Sequence, residues 1–293
     1  MSDVAVHVYM LAYNVAPYVA QAIEGVLEQR TTFPVTLFIG EDCSTDETPA
    51  VCRSYADKYP GRVIFLPAKQ NMGITANTAR MLGYCTAKYM AICDGDDVWI
   101  DPLKLQKQVT FLEEHPDYGL SYSDVQVISE AGAPVGAPEY EALRTFYAQG
   151  EVFTRLLKGN FINNSTAVVR RSLIMDFHIN PDRRYTISDY FMWLHVSARA
   201  KVHFLPEQTT AYRWHCGNVT QSEEKARNNR LWYQSILGDI LLDFARQNRG
   251  KALSRAERVV LFRKTLSALY RSTSKPWRRR RRLLPLLFRY FPI

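Results

Sequence analysis

The feature of this sequence that most constrains its fold is a regular alternation of short apolar runs and longer helix-like segments over residues 6–114. The apolar runs predict four buried strands, at 6–11, 35–39, 63–66 and 89–93. The segments that follow them predict four helices, at 15–29, 45–59, 74–84 and 102–114. Strands that alternate with helices are typical of βαβ units around a mostly parallel sheet. The sequence therefore predicts an α/β fold with helices on both faces of the sheet.

A less regular part begins near Gly119. Its patterns predict strands, helices and a turn. In chain order these are a strand at 120–128, a turn at 131–134, a helix at 149–157, a strand at 166–169, an amphipathic helix from about Ser188, strands at 202–205 and 209–214, and long helices at 222–248 and 254–272. No segment repeats another, so a repeat architecture is not expected.

The charge of the chain is unevenly distributed. Of 37 lysine and arginine residues, 11 follow Glu257, whereas none of the 29 acidic residues does. The preceding part therefore carries 26 basic and 29 acidic side chains, a net charge of −3, although the whole chain has +8. A nucleic-acid interface spreads basic residues over a folded face. This distribution argues against nucleic acid as a partner.

Composition excludes several further classes. Apolar residues make up 47% and charged residues 23% of the chain, the range of globular proteins. No apolar run approaches the ~20 residues of a membrane span, and no basic segment precedes an apolar stretch at the N-terminus, so we expect a cytoplasmic protein. The five cysteines are scattered and form no C-x-x-C pair, which argues against a zinc ribbon or a disulfide scaffold.

Polar side chains follow each of the four predicted strands. The segments in question are Ala12-Tyr13-Asn14, Glu41-Asp42, Lys69 to Asn71, and Asp94-Gly95-Asp96-Asp97. Loops are polar in general, but one of these segments carries three carboxylates. Ligands bind beyond the carboxyl ends of the strands in open parallel sheets. We therefore expect a ligand site at this edge of the sheet.

The expected site has no glycine-rich phosphate loop, because the first strand-to-helix turn, residues 11–17, contains no glycine. An acidic cluster repels phosphate, so a nucleotide here needs a divalent cation between carboxylate and phosphate. Asp94 and Asp96 are two residues apart at a strand end, so they can share one ion, and Gly95 allows close backbone approach. We keep Asp97 with them for chemistry and assign Asp101 to capping the next helix.

An EF-hand loop that starts at Asp94 is the alternative metal motif. Its positions 5, 6 and 12 require a ligand, a glycine and a glutamate, but the chain has Val98, Trp99 and Leu105 there. The EF-hand interpretation therefore fails.

The ordered set of motifs resembles the family 2 inverting glycosyltransferases, which have the GT-A fold. The matching pieces are Leu11-Ala12-Tyr13-Asn14, Glu41-Asp42-Cys43-Ser44-Thr45-Asp46, Asn71-Met72-Gly73 with Asn77, Cys93-Asp94-Gly95-Asp96-Asp97, Ser188-Asp189 with the helix that follows, and Tyr212-Arg213-Trp214-His215. The resemblance covers about residues 4–222. It implies a Rossmann-like GT-A domain at 1–222 and a helical extension at 223–293.

The resemblance implies a metal-dependent enzyme that transfers a hexosyl or N-acetylhexosaminyl group from a nucleotide sugar. The nucleotide would be UDP, as is usual in the family. Asp189 would be the catalytic base, and the ion would be Mn2+ or Mg2+, held by Asp96, Asp94 and His215. The acceptor would be a saccharide or a lipid-linked glycan, as in polysaccharide biosynthesis. The nucleotide would be bound by Ala12, Tyr13, Asn14, Glu41, Asp42, Asn71, Asn77, Asp94 and Gly95.

Several of these residues have structural alternatives. Asp42 and Asp46 are also good capping residues, and Asp189 also suits the first turn of a helix. For His215, which stands beside Trp214, there are two expectations. It reaches the diphosphate or the metal, or it has only a structural role and packs against its neighbours.

The sequence departs from the family at two places. Thr75-Ala76 stands before Asn77, where the family often has a basic residue, so a diphosphate contact is missing or moves to Arg80 or Lys69. Ala87 and Lys88 precede the fourth strand, where the family usually has glycine.

We expect the acceptor pocket between Tyr122 and Tyr185.

The C-terminal residues 275–293 combine five consecutive arginines with an apolar run at 283–288. This mixture is typical of segments that bind anionic membranes, and it predicts a peripheral protein at the cytoplasmic membrane face. The alternatives are a solvated tail and a helix packed on the body or on another subunit of an oligomer.

Two rival functions remain open at this point. A nucleotidyltransferase normally needs a glycine- and Arg/Lys-rich turn after the first strand, which is absent here. A non-catalytic nucleotide-sugar or glycan-binding module has no use for the carboxylate of Asp189.

Overall fold

The first half of the chain folds as a series of βαβ units. The computed structural model describes residues 5–179, 188–215, 237–245, 247 and 253–271. The elements of this half are β1 (Val6–Ala12), α1 (Val19–Leu27), β2 (Val35–Glu41), α2 (Thr48–Lys58), β3 (Val63–Pro67), α3 (Ile74–Tyr84), β4 (Tyr89–Ile92), β5 (Val98–Trp99) and α4 (Lys104–Glu114). The four predicted strands and four predicted helices are all present.

The second half adds strands to the same sheet and helices around it. Its elements are β6 (Tyr118–Ile128), α5 (Pro138–Arg144), α6 (Phe153–Leu156), β7 (Val168–Arg170), α7 (Ser188–Ser197), β8 (Lys201–Arg213), α8 (residues 237–245) and α9 (Arg255–Arg271). None of the helices described here is long and apolar enough to cross a membrane.

The described strands form one sheet of eight in the order β3-β2-β1-β4-β7-β6-β8-β5. β1 pairs in parallel with both β2 and β4, and β2 pairs in parallel with β3. β7 runs antiparallel to β4 and β6. The carboxyl ends of β1, β2 and β4 therefore meet at one edge, where the strand order reverses around β1. The predicted α/β fold, a mostly parallel sheet with flanking helices, is confirmed.

Two apolar clusters cover the two faces of the sheet. One joins β1 and β2 to α1 and α4, and the other joins β4 and β6 to α3, α6 and α7. α7 is buried on nearly every side, with Phe191 and Trp193 fully enclosed. The prediction of an amphipathic helix is therefore wrong here, because a helix buried on nearly every side belongs to a protein interior. α7 is thus a fixed platform for any side chain at its first turn.

The C-terminal helices share the second cluster. Ile240 and Phe244 of α8 and Leu261 of α9 are buried in it. The rings of Phe153 and Phe244 lie 5.4 Å apart between their centroids. The described part of the predicted extension therefore packs on the body of the protein. The remainder of the helix predicted at 222–248 lies outside the described residues, as does the tail from 272 onward.

The structure differs from the predicted elements at several places. Only Phe153–Leu156 of the helix predicted at 149–157 is helical. The predicted strands at 202–205 and 209–214 are one strand, β8, because a bulge takes up Pro206 and Glu207: Leu205 pairs with Ser123, and Gln208 pairs with Asp124.

The third difference is α5, which no pattern predicted. It has a proline at its start and Glu139 and Glu141 in its first turn, both ordinary start signals. It has no buried residue. The helix period of apolar residues that would have revealed it is therefore missing.

Two non-glycine residues at the sheet edge have a left-handed backbone. Asn14 has a φ of 51° and Cys43 a φ of 59°. Asparagine tolerates this conformation, and Asn14 Oδ1 also accepts a hydrogen bond from the Thr45 N–H. In Cys43, which is exposed, the Cβ lies close to the next carbonyl oxygen, a strain of about 1–2 kcal/mol.

We predict that Cys43→Gly raises the free energy of unfolding by about 0.5–1 kcal/mol, because glycine removes this strain but loses more backbone entropy on folding. Urea unfolding measures the difference. Cys43→Ala is the matched control, since it removes the thiol and keeps the strained Cβ, and it should bring no gain. Equal gains in both variants would contradict the backbone explanation.

Candidate active site

A cavity of about 920 Å³ opens at the carboxyl ends of β1, β2 and β4. Further walls come from the 160–164 loop, α5, α7 and the residues after β8. Its acidic lining residues are Asp42, Asp94, Asp96, Asp97, Glu130 and Asp189. None of the lining residues in the described part of the chain is a lysine or an arginine. The cavity is therefore strongly acidic, and it repels a bare diphosphate.

Close backbone packing holds the acidic loop after β4 in place. The Gly95 N–H donates to the Leu11 carbonyl over 3.0 Å. A Cβ at position 95 would lie 2.9 Å from that same oxygen. Only glycine allows this approach, so the loop packs directly against the end of β1. Gly95 itself does not line the cavity.

Asp94 is held by the short 3-10 turn at Asn164–Thr166, which precedes β7. Asn164 Nδ2 donates to both carboxylate oxygens, over 2.9 and 3.2 Å, and the Asp94 N–H donates to Ser165 Oγ over 3.0 Å. Burial and the neighbouring Asp96 raise the pKa of Asp94 to about 7, against the lowering effect of Asn164. A positive charge nearby would reverse this shift.

Asp96 and His215 form a pair at the other side of this loop. His215 Nε2 lies 3.0 Å from Asp96 Oδ2. The His215 ring packs against Tyr18, with their centroids 4.9 Å apart. The hydroxyl of Tyr18 donates to Glu130 Oε1 over 2.8 Å. His215 thus faces the carboxylate that the sequence predicted as the foremost metal ligand.

Both carboxylate oxygens of Asp97 accept hydrogen bonds from the protein, so this side chain has a structural role. The Ser165 hydroxyl donates to its Oδ2 over 2.6 Å, and the Arg213 N–H donates to its Oδ1 over 3.1 Å. Burial, followed by the charges of Asp96 and Asp94, raises the pKa of Asp97 far above the ordinary value. The guanidinium of Arg213 donates to the Asp96 carbonyl over 3.0 Å. Asp97 and Arg213 therefore hold the acidic loop against β8.

The side chains present fit a divalent ion that enters together with a diphosphate. Within the described ranges, no three or more His, Cys, Asp and Glu side chains converge as a metal site. Magnesium-type ions in phosphate sites need only one or two carboxylates from the protein, because substrate oxygens complete the shell. Asp96 with His215, and Asp94 beside them, supply such a partial set.

Asp189 brings a carboxylate from α7 to the same cavity. It lies in the first turn of the helix, which begins at Ser188 as predicted. Asn160 Nδ2 donates to its Oδ2 over 3.2 Å. Burial raises the pKa of Asp189 to about 6, opposed by hydrogen bonds that include those from the Tyr190 backbone and Asn160. Above that pH it is ionised and can accept a proton.

The residues predicted to bind the nucleotide divide into two groups. Ala12, Tyr13, Asn14, Asp42, Asn71, Asn77 and Asp94 line the cavity. The Tyr13 ring is 47% exposed and is open for stacking against a base. Glu41 does not line the cavity, since it is buried and accepts a hydrogen bond from the Ser44 N–H over 2.6 Å.

Asp42 also organises the loop in front of α3. Its two oxygens accept hydrogen bonds from the N–H groups of Met72 and Gly73, over 2.8 and 2.9 Å. The capping alternative for Asp46 is likewise realised, because its Oδ1 accepts from the Thr48 N–H over 3.0 Å.

The two predicted substitutes for a diphosphate contact lie elsewhere. Arg80 donates to Asn77 Oδ1 over 2.8 Å and to the Leu66 carbonyl over 3.0 Å, so it braces α3 against β3. Neither Arg80 nor Lys69 lines the cavity.

Sequence reasoning missed several residues of the site. Asn160, Asn164, Glu130, Tyr18 and Tyr140 all line the cavity. Asparagine and tyrosine in loops are common, so no local pattern distinguished them. Tyr140 and the asparagines fall between Tyr122 and Tyr185, where the acceptor pocket was expected.

The sheet that carries this acidic loop at one edge has the GT-A fold of known glycosyltransferases. The family model "Glycosyl transferase family 2" matches residues 7–177. The chain belongs to this family.

Sequence relatives and solved structures are also similar to this chain. The chain is 30% identical over 306 aligned residues to "Uncharacterized protein Rv1520" of Mycobacterium tuberculosis, covering 94% of this chain and 86% of that protein. Staphylococcus aureus TarS in complex with UDP has a TM-score of 0.64 at 15% identity, covering 92% of this chain and 72% of TarS. The mannosyltransferase PcManGT of Pyrobaculum calidifontis, in complex with GDP-Man and Mn2+, has a TM-score of 0.60 at 18% identity. The match covers 98% of this chain and 81% of PcManGT.

The raised pKa of Asp94 generates a prediction about stability. The folded protein retains a proton that the unfolded chain releases, so stability falls as pH rises from about 4 to about 7. Asp94→Asn mimics the protonated form, and its stability gain over wild type should grow by about 2 kcal/mol between about pH 5 and pH 8.

Urea unfolding at the two pH values tests this prediction. Asp117→Asn is the control: Lys201 lowers the pKa of Asp117, so this carboxyl is ionised in the folded and unfolded states at both pH values, and the stability difference between the variant and wild type should be the same at both. If the advantage of Asp94→Asn is the same at both pH values, the carboxyl of Asp94 is not destabilised by its surroundings.

Proposed function

We propose that this glycosyltransferase is metal-dependent and inverting, and that it moves a hexosyl or N-acetylhexosaminyl group from a UDP-sugar to a hydroxyl of a saccharide or lipid-linked glycan. The observation that carries the proposal is the placement of Asp94, Asp96 and Asp189 in one cavity, from two separate elements. A donor between them would have its diphosphate beside one element and its anomeric carbon within reach of a base on the other.

The reaction is a single in-line displacement. The acceptor oxygen forms a bond to the anomeric carbon while the bond from that carbon to the diphosphate oxygen breaks. The acceptor proton passes to the carboxylate of Asp189, and the electron pair of the broken bond leaves with the nucleoside diphosphate. The pKa of about 6 suits Asp189 to this step, since it is ionised near neutral pH and still basic enough to share a proton.

Mn2+ or Mg2+ would be held by Asp96, His215 and Asp94, and when bound it supplies positive charge for the leaving diphosphate. The protein's own part is to fix these side chains. The Asn164 amide restrains Asp94, the Arg213 guanidinium restrains the loop backbone at Asp96, and Tyr18 packs beside His215. The Mn2+ in the PcManGT complex supports this choice of ion.

The donor is assigned to the end of the cavity near Tyr13. Tyr13 offers a stacking surface, and Asp42 has carboxylate lone pairs beside its two backbone partners for a base N–H or a ribose hydroxyl. TarS was solved with UDP and PcManGT with GDP-Man, so the uridine choice needs a test. A thermal-shift screen of UDP-, GDP- and dTDP-sugars with Mn2+ provides it, and stabilisation by a UDP-sugar above the others is expected.

We predict that Asp189→Asn lowers the rate of nucleotide-sugar hydrolysis by about 10²–10⁴-fold, because the proton acceptor is lost. The donor should still bind, and the Mn2+-dependent thermal shift with the selected donor should persist. The control is Asp176→Asn, on an exposed carboxylate outside the cavity. Wild-type rates in Asp189→Asn, or no turnover of any donor by the wild type, would contradict the proposed function.

The tail is assigned to an anionic membrane surface, which brings the enzyme to a membrane-bound acceptor. Helix α9, which precedes the tail in the sequence, has the same mixture of exposed basic and apolar side chains. α9 exposes Arg255, Arg258 and Arg263 together with Val259 and Leu266. In this proposal residues 1–222 form the catalytic unit, and residues 223–293 attach it to the surface.

We predict that the full chain sediments with vesicles that contain phosphatidylglycerol and not with pure phosphatidylcholine, since each basic residue near the surface contributes about 1 kcal/mol. A variant with residues 278–282 changed from arginine to glutamine should lose most of this binding. Removal of residues 275–293 should abolish it while hydrolysis continues. Equal binding to both kinds of vesicle would contradict an electrostatic role.

A further inference from the structure

The amide of Asn160 is aimed at Asp189 by a local turn. Asn160 Oδ1 accepts a hydrogen bond from the Ile162 N–H over 3.1 Å, which fixes the orientation of the side chain. Its Nδ2 then faces Asp189 and donates to Oδ2 over 3.2 Å. Because the Ile162 N–H can only donate, the amide oxygen must lie on its side and the NH2 group on the side of Asp189.

The loop that carries Asn160 is anchored at its other end to the acidic loop. Four residues further on, Asn164 donates to both oxygens of Asp94. The Ser165 hydroxyl, next in the chain, donates to Asp97. A single segment, residues 160–165, therefore contacts carboxylates on both elements that build the site.

We infer that Asn160 is a positioning residue for Asp189: its amide holds one carboxylate oxygen so that the other, Oδ1, is presented to the acceptor hydroxyl. This inference rests on the proposed role of Asp189 as the base. It adds a residue outside every motif by which the family was recognised. The covalent step is unchanged, and Asn160 gains and loses no proton.

The chemical consequence follows from the charge of the groups around Asp189. Among the residues that the structure describes, the titratable groups that interact with it electrostatically are Asp94, from the loop after β4, and Tyr9, from β1. Asp94 is a second acid. Burial, followed by nearby charges that include Asp94, raises the pKa of Tyr9 well above its ordinary value, so Tyr9 is neutral. Neither favours the carboxylate form of Asp189. The Asn160 amide does, because a hydrogen bond to a charged acceptor stabilises it.

The test is Asn160→Asp, which retains an oxygen for the Ile162 N–H but removes the donor to Asp189. The matched control is Asn163→Asp. Asn163 is in the same segment, its Oδ1 accepts from the Ser165 N–H over 3.0 Å, and that bond also survives the change. Both variants add one negative charge to the same loop, and only the first faces Asp189.

The first readout needs no substrate. The pKa of Asp189 is followed by carboxyl 13C NMR and assigned with Asp189→Asn. Asn160→Asp should raise the pKa of Asp189 by about 1 or more, the equivalent of one charged hydrogen bond, and clearly more than Asn163→Asp does. Equal pKa values of Asp189 in the two variants, or no change in Asn160→Asp, would overturn the inference.

The second readout is the pH dependence of hydrolysis of the donor found in the screen. The acid limb of kcat should move to higher pH in Asn160→Asp, with about a tenfold loss near pH 6 and little change in the donor KM. An unmoved acid limb with a raised KM would mean that Asn160 only shapes the pocket, and would overturn the inference. If the wild type turns over no donor, the proposed function fails, while the NMR titration still decides the role of Asn160.

Discussion

The site depends on an excess of negative charge that the fold forces into one cavity. Among the described residues, six carboxyl groups line it and no lysine or arginine does. The protein tolerates this arrangement by protonation and by hydrogen bonding: the pKa of Asp97 is raised by its burial, and Asn164 and Ser165 donate to Asp94 and Asp97. A diphosphate cannot enter such a place without positive charge. In the proposed function, the acidity that destabilises the protein alone is what makes a dication and a nucleotide bind together.

The geometry of the sheet explains why these groups meet. β1 lies between β2 and β4 in parallel register, so the residues after Ala12, Glu41 and Ile92 share one edge. Gly95 allows the acidic loop to touch the end of β1. The remaining walls come from the second half of the chain, where β8 delivers His215 and the buried α7 delivers Asp189. The two halves are joined through residues 160–165, which reach the carboxylates of both.

Much of this arrangement could be predicted from the sequence, because it is local. The apolar runs of β1 to β4 lie in the sheet, and both the acidic loop at 94–97 and the start of α7 at Ser188 are visible as local sequence patterns. The rest depends on contacts between distant residues. Asn160 and Asp189 are 29 positions apart and belong to no shared pattern. α5 buries no residue and so has no apolar period. β8 continues past Pro206 only because a bulge opposite Ser123 and Asp124 accommodates it.

The most direct test of this account is the binding of UDP measured by calorimetry with Mn2+ and with EDTA. The account predicts that Mn2+ increases the affinity for UDP at least about tenfold, an effect of about 1.4 kcal/mol, in the wild type. The increase should be lost in Asp96→Asn. UDP that binds equally well in EDTA, or a Mn2+ effect that survives Asp96→Asn, would contradict the claim that carboxylates 94 and 96 hold the nucleotide through a cation.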